Sequence, residues 1–323
     1  MRGPDLPAVL AVVPVEALRL GDEVVPTAGS WQREKEVARF TPRFALVDGT
    51  MYAVLARRDA AEGWREHSRV TVPALEVPRT TVVRAIDPGG DEVPANLLRF
   101  SVTFSAPMPE GSAEGHIHLR DAAGQEVPGA LFSMSPELWD RERRRLTVLL
   151  EPGRIKRGLL PHLLAGAPLA EGSAISLVID PELRDVTGTE LAEGAQRTYR
   201  VGPAVRSRID PARWTIRWPA PGHDLLVVRF DRPLDRALVR RYLRLVDEHG
   251  RPAPGRPTIN HDASVWTFEP AGPDRGWHLE IDSRLEDLAG NSVRRVFDRD
   301  LRHADDDDLV DVSSIVLTPD GRV

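Results

Sequence analysis

The sequence predicts an all-β protein made of tandem antiparallel β-sandwich units. The first observation is an internal repeat: residues 100–129 align without a gap with residues 226–255, and the matches fall at strand and turn positions. The second is a period-two alternation of apolar residues within the aligned segments, which is typical of half-buried strands. The third is the content of 28 prolines, which suits a loop-rich β protein better than a helical one.

Each repeat opens with a strand whose alternate residues are predicted to face the core. In the second copy the inward residues are Leu226, Val228 and Phe230, whereas Arg229 faces solvent. Residues 100–104 of the first copy show the same pattern. A D-x-x-G turn follows a second strand in both copies, because glycine there can supply a positive φ. Later strands, one stopped by Glu-Pro and one followed by a glycine turn, complete each unit.

A chain of 323 residues predicts two or three domains. The repeats place sandwich units at residues 81–203 and 204–303. Residues 1–80 hold a weaker copy, which we expect to be an atypical or incomplete unit that starts with a strand rather than a signal peptide. Residues 304–323 are predicted to be an acidic tail, because they open with a run of aspartates.

Composition excludes several classes of function. The net charge of −6 gives no reason to expect a nucleic acid as partner, and no apolar window is long enough to cross a membrane. The absence of cysteine excludes disulfides, thiolate metal sites and cysteine nucleophiles. No nucleophile elbow, phosphate-binding loop, dinucleotide fingerprint or zinc-protease motif is present, so the sequence leans away from an enzyme. It leaves the oligomeric state open.

Two short motifs are candidate metal ligands. The run Asp-Leu-Ala-Gly-Asn spans residues 287–291, and its ends are the weak candidates Asp287 and Asn291. Calcium needs about six to eight oxygen ligands, so we expect a structural turn here, with calcium as the minor alternative. His116 and His118 form an H-x-H pair that suits zinc, but no third ligand lies near them in sequence. The prediction is therefore no metal and no cofactor.

The first repeat carries an insertion, residues 152–172, where the second repeat has only the short link 270–276. Functional residues are often carried on loops of a rigid scaffold. The insertion either caps an end of the sandwich and packs on a neighbouring unit, or it binds a ligand. Its candidate binding residues are Arg154, Lys156, Arg157 and His162.

Together these motifs resemble the bacterial Ig-like domain found in surface-layer and other exported proteins. The resemblance rests on VTFSAPM (102–108), the D-x-x-G turn before EVPG, the strand that ends in Glu-Pro, and DLAGN (287–291). It covers residues 82–301 best. It implies a β-sandwich used as a spacer, stalk or ligand-presenting module, without catalysis. It further implies a protein or cell-surface polymer as partner, and an exported or envelope-associated location.

The primary hypothesis is therefore a non-enzymatic modular protein with a structural or binding role. The alternative is a ligand-binding or hydrolase-like protein whose site lies on the 152–172 insertion loop. Basic residues of the loop that converge with acids of a neighbouring unit in a concave pocket would favour the alternative.

Overall fold

The structure is a computed structural model that describes residues 6–19, 25–59, 62–73, 77–219, 225–271, 276–300, 312–319 and 321–322. The chain divides into two units, Met1–Pro78 and Arg79–Val323. Antiparallel sheets dominate both units, as the sequence predicts. No helix among these residues is long and apolar enough to cross a bilayer.

The first unit contains one three-stranded sheet and a separate hairpin. Its elements are α1 (Leu6–Val9), β1 (Leu10–Pro14), α2 (Val15–Arg19), β2 (Gly29–Glu34), β3 (Val37–Pro42), β4 (Met51–Ala56) and β5 (Arg65–Thr71). The sheet has the order β1-β4-β5, and β2 pairs with β3. Among the described residues of this unit, Ala11, Val13, Val15, Ala53 and Leu55 form one buried core cluster. Strand β5 is exposed along its whole length, and among the described residues of this unit the only other sheet is the β2-β3 hairpin.

The second unit begins with a complete sandwich. Its strands are β6 (Val83–Asp87), β7 (Glu92–Pro94), β8 (Arg99–Phe104), β9 (Ile117–Asp121), β10 (Leu138–Trp139), β11 (Arg145–Leu149), β12 (Ala174–Ile179) and β13 (Ala195–Gly202). One sheet has the order β10-β11-β8-β6 and the other β7-β13-β12-β9. All pairs are antiparallel except β7 with β13. The insertion forms two short helices, α3 (Pro152–Ile155) and α4 (Leu160–Ala165).

A second sandwich follows in the same unit. Its elements are a 3₁₀ turn (Pro211–Arg213), β14 (Thr215–Arg217), β15 (Leu226–Arg229), α5 (Arg236–Tyr242), β16 (Leu243–Val246), β17 (Gly255–Ile259), β18 (Val265–Pro270), β19 (His278–Asp282), β20 (Ser314–Thr318) and β21 (Gly321–Arg322). The sheet orders are β14-β15-β18-β17 and β16-β19-β20-β21. The all-β fold class of tandem β-sandwiches with an atypical first unit is thus confirmed.

The predicted strand register is also confirmed. Leu226, Val228 and Phe230 are buried in one core cluster, while Arg229 is exposed. The first sandwich shows the same burial in β8, where Phe100, Val102 and Phe104 are buried and the residues between them are half-buried. Because a shift of one residue would turn the apolar set outward, period-two alternation alone was sufficient to specify this register.

Two elements of the second sandwich differ from the expectation. Residues 236–242 form helix α5, whereas the aligned part of the first sandwich is a loop. Asp235 caps this helix by accepting from the backbone N–H groups of Ala237 at 2.9 Å and Leu238 at 3.0 Å. Residues 314–318, assigned above to an acidic tail, form β20, which pairs with β19 through Leu279 and Leu317. The aspartate run of the tail lies outside the described residues.

Candidate functional site

A cluster of largely buried charges joins the two sandwiches. Arg99 of β8 donates from Nε to Asp235 Oδ2 at 2.7 Å and from Nη2 to Glu286 Oε2 at 2.5 Å. The three side chains are 19%, 15% and 18% exposed. Burial lowers the pKa of Arg99, but the two carboxylates more than offset this, so its pKa lies above the ordinary value. A buried charge of this kind is stable only while its partners remain in place.

A second contact lies where the loop after β6 meets the second sandwich. Arg236 Nε donates to Asp87 Oδ1 at 2.9 Å, and its Nη2 donates to the carbonyl oxygens of Asn260 at 2.7 Å and His261 at 2.5 Å. The backbone at Gly89 comes so close that a Cβ there would lie 1.8 Å from the His261 carbonyl oxygen. Glycine is therefore required at this position for the two sandwiches to approach each other.

The linker between the sandwiches is held by side chains on both sides. Asn96 Nδ2 donates to the Val205 carbonyl at 2.8 Å, and the Val205 N–H donates back to Asn96 Oδ1 at 2.9 Å. Asp298, whose side chain is 1% exposed, accepts from Arg206 Nε at 2.7 Å and from Arg157 Nε at 3.3 Å. First sandwich, linker and second sandwich thus share one hydrogen-bonded network.

The DLAGN run forms the predicted turn. Asp287 Oδ1 accepts from the backbone N–H groups of Ala289 and Asn291, both at 2.9 Å. Asn291 Nδ2 donates to Asp287 Oδ2 at 3.0 Å, and Arg232 Nη1 contacts the same oxygen at 3.2 Å. Burial raises the pKa of Asp287 to about 6 in spite of these donors. Both carboxylate oxygens are therefore already hydrogen-bonded within the protein.

The same run also contributes to the junction, a role that its sequence did not predict. The Leu98 N–H donates to the Leu288 carbonyl at 2.9 Å, and Leu98 packs so closely on Gly290 that a Cβ there would lie 2.5 Å from its Cδ2. Asn291 Nδ2 also donates to the linker carbonyl of Val205 at 3.0 Å. The corresponding turn of the first sandwich ends in Thr189 rather than asparagine. This difference between asparagine and threonine was the sequence feature that could have indicated an additional role for the second turn.

Of the four predicted binding residues, Arg154 and His162 hold the insertion together. Arg154 Nη1 donates to the carbonyl oxygens of Pro128 at 2.8 Å and Gly129 at 3.0 Å, and its Nε donates to that of Gly166 at 3.1 Å. His162 Nδ1 lies 2.5 Å from the Arg154 carbonyl oxygen. These contacts fix the loop on the sandwich.

The other two predicted residues, Lys156 and Arg157, reach the second sandwich. Arg157 contacts Asp298, as described above, and Lys156 Nζ lies 4.5 Å from the centre of the Phe297 ring. Burial, together with the nearby cations Arg295 and Arg299, lowers the pKa of Lys156. These contacts support the interpretation that the insertion packs on a neighbouring sandwich. Ligand binding by the four residues stays a prediction.

Of the weak metal candidates, Asp287 and Asn291 bond each other within the turn described above, and the two histidines lie elsewhere, on and beside β9. His118 Nε2 lies 3.0 Å from Asp180 Oδ2, and its Nδ1 lies 3.6 Å from Glu126 Oε1. His116 lies in the turn that precedes β9. Within the part of the chain that the structure describes, no three histidine, aspartate or glutamate side chains lie close enough together to hold a metal ion.

Comparisons with known proteins find weak structural similarity. No protein-family model and no curated protein matches the chain. Domains 1–6 of the surface layer protein SbsC match at 10% identity and a TM-score of 0.28, over 63% of this chain and 39% of that one. The N-terminal eight Ig domains of Down Syndrome Cell Adhesion Molecule isoform 1.30.30 match at 10% identity and a TM-score of 0.23, over 86% of this chain and 29% of that one.

A mouse coronavirus receptor-binding domain complexed with its murine receptor matches at 8% identity and a TM-score of 0.17, over 65% of this chain and 98% of that one. Scores this low assign neither a family nor an activity to the chain.

Proposed function

We propose that the chain is a non-enzymatic modular protein in which the paired sandwiches act as a rigid spacer or presenting element, exported or associated with the cell envelope. The observation that supports this proposal is the junction. Arg99, Asp235 and Glu286 form a buried charge cluster, and the linker at Val205 is hydrogen-bonded from both sides. A flexible tether between independent modules needs no such contacts.

The hydrolase-like alternative has less support. Arg157 of the insertion does meet an acid of the neighbouring sandwich, but that acid, Asp298, is buried within the structural network and not in an open pocket. Binding by the exposed part of the insertion is compatible with a spacer, because a rigid scaffold presents such a loop at a defined position. The expected partner is a protein or a cell-surface polymer, and we expect no nucleic-acid binding.

Rigidity can be measured directly because the chain contains no cysteine. Ala122 and Glu248 occupy equivalent exposed turn positions in the two sandwiches and can be replaced together by cysteine for spin labelling. We expect one narrow distance distribution between the labels. The Arg99→Met variant should broaden it, while the matched surface variant Arg229→Met should leave it unchanged. A broad distribution in the otherwise unmodified chain would refute the rigid-spacer proposal.

A further inference from the structure

The first sandwich has an opening on the side where strand β10 contains only two residues. Leu138 pairs with Thr147 of β11, but the Phe132 N–H donates to the Leu149 carbonyl at 2.9 Å. Residues 133–137 therefore leave the sheet, because these five residues have a single residue of β11 opposite them. The gap leaves a cleft of about 230 Å³, the edge cleft, which is lined by residues 131–138 together with residues of β9 and β11.

Apolar side chains form the walls of the edge cleft. Ile117, Leu131 and Val148 pack against the core of the sandwich but remain only partly buried. Phe132 and Met134 also line the cleft, and each is 39% exposed. Apolar surface that stays in contact with water is unfavourable, and a concave group of such side chains is typical of a binding site. A ligand that inserts an apolar group here would remove that surface from water.

Carboxylates accompany these apolar walls. Glu110, Glu114 and Glu137 line the edge cleft, and none of the described residues that line it is a lysine, arginine or histidine. Glu137 accepts from two backbone N–H groups at 3.0 Å and 2.9 Å, but these donors are neutral and leave its charge in place. Arg143 lies 3.9 Å from Glu110, where the two side chains are 50% and 42% exposed, so this ion pair is weak. The edge cleft therefore combines an apolar surface with net negative charge.

Size and charge together select the ligand. Cavities that bind drug-sized molecules have volumes of about 300–1,000 Å³, so the smaller edge cleft suits a single apolar side chain better. Its carboxylates attract cations and repel acidic groups. We propose that the edge cleft binds a basic peptide segment of a partner protein: one aliphatic or aromatic side chain enters the cleft, and flanking lysine or arginine residues face Glu110 and Glu114. This deepens the proposed function, on which it rests, by naming the chemistry of the protein partner.

Methyl NMR of the full chain, labelled with carbon-13 in its methionine methyl groups, tests the inference. Met134 lines the edge cleft, whereas Met51, which is 41% exposed, lies in the first unit and serves as the matched control. The probe is a capped Gly-Lys-Leu-Lys-Gly peptide, titrated into the millimolar range. We expect a saturable shift of the Met134 methyl signal and no shift of the Met51 signal. An unchanged Met134 signal would overturn the proposal.

Two variant peptides separate the apolar contribution from the charge contribution. Replacing the leucine of the probe by alanine should weaken binding by at least about tenfold, because the burial of about three methylene equivalents is lost. Replacing both lysines by glutamate should also weaken binding by about tenfold, because two attractive charge contacts become repulsive. If either variant peptide binds as tightly as the probe, the proposal is wrong.

Variants of the protein test the same two contributions. Glu110→Gln combined with Glu114→Gln should weaken binding of the probe about fivefold, because each exposed ion pair contributes about twofold to threefold. Phe132→Ala should weaken it about threefold by removing apolar contact. Val186, which is 54% exposed in the same sandwich and outside the edge cleft, provides the control Val186→Ala with unchanged binding. All these side chains are exposed, so the melting temperature should stay at the wild-type value. Wild-type affinity in the glutamine variant would contradict the proposal.

Two further outcomes identify other occupants. A Met134 shift that grows with protein concentration in the absence of peptide would show that a second copy of the chain fills the edge cleft, and would overturn the assignment to a partner protein. Hexylamine that binds as tightly as the probe would point to a small organic cation and would equally refute the peptide assignment. The spin-label distance reports rigidity independently of these assays, so failure of peptide binding and failure of the spacer proposal are distinguishable.

Discussion

Arg99→Met should weaken the coupling between the sandwiches more than any surface change. Methionine has an unbranched side chain of similar length but no charge. The substitution therefore leaves Asp235 and Glu286 as uncompensated carboxylates that are less than one-fifth exposed. Breaking a fully buried ion pair costs about 3–5 kcal/mol. Because these groups retain some contact with water, we expect about 2–4 kcal/mol. Urea titration followed by hydrogen exchange, with peptides from β8 and β15 as probes, should show the two sandwiches unfolding together in wild type and separately in the variant.

Removing the charges of the Arg99 cluster provides the critical control. Arg99→Met combined with Asp235→Asn and Glu286→Gln removes all three charges, and asparagine can still cap α5. This triple variant should regain most of the lost stability, since the penalty arises from unpaired charge and not from lost packing. Arg229→Met, on the exposed face of β15, should change stability by less than about 0.5 kcal/mol. If Arg99→Met costs under about 1 kcal/mol, or if the triple variant is no more stable than the single one, the ion-pair argument is wrong.

Three other outcomes are expected. Phe230→Ala should destabilise the second sandwich by about 3–5 kcal/mol in urea unfolding, because Phe230 is 5% exposed and contacts Trp214; a smaller effect than that of an exposed residue would contradict the register. The folded pKa of Asp287, about 6, lies above its unfolded value of about 4, so this group adds stability below about pH 4 that is lost as the pH rises through about 6. The unfolding free energy of wild type, relative to that of Asp287→Asn, should therefore decrease between pH 4 and pH 7. A relative free energy that does not change with pH would refute the raised pKa. The melting temperature should be equal in EDTA and in millimolar calcium, because the Asp287 oxygens already accept hydrogen bonds; a rise of several degrees with calcium would support a bound ion.

Local patterns in the sequence were sufficient for the parts of the fold that depend on neighbouring residues. Alternation determines which face of β15 is buried, because successive side chains of a strand point to opposite sides. The DLAGN turn was predictable for a similar reason, since Asp287 bonds groups two and four residues ahead. The insertion was visible because the two copies differ in length there. The sequence identified the basic residues of the insertion as candidates, but it did not predict which groups they contact.

Only the tertiary structure decided the junction and strand β20 of the second sandwich. Arg99 and Asp235 are 136 positions apart, and nothing local distinguishes this arginine from the many that remain in solvent. Strand β20 follows the run of aspartates in the sequence and pairs with β19. A segment that looks like a tail therefore supplies a core residue, Leu317. Local sequence specifies which groups a strand or turn can offer. Whether a charge is buried and paired depends on which distant segments the folded chain places beside it.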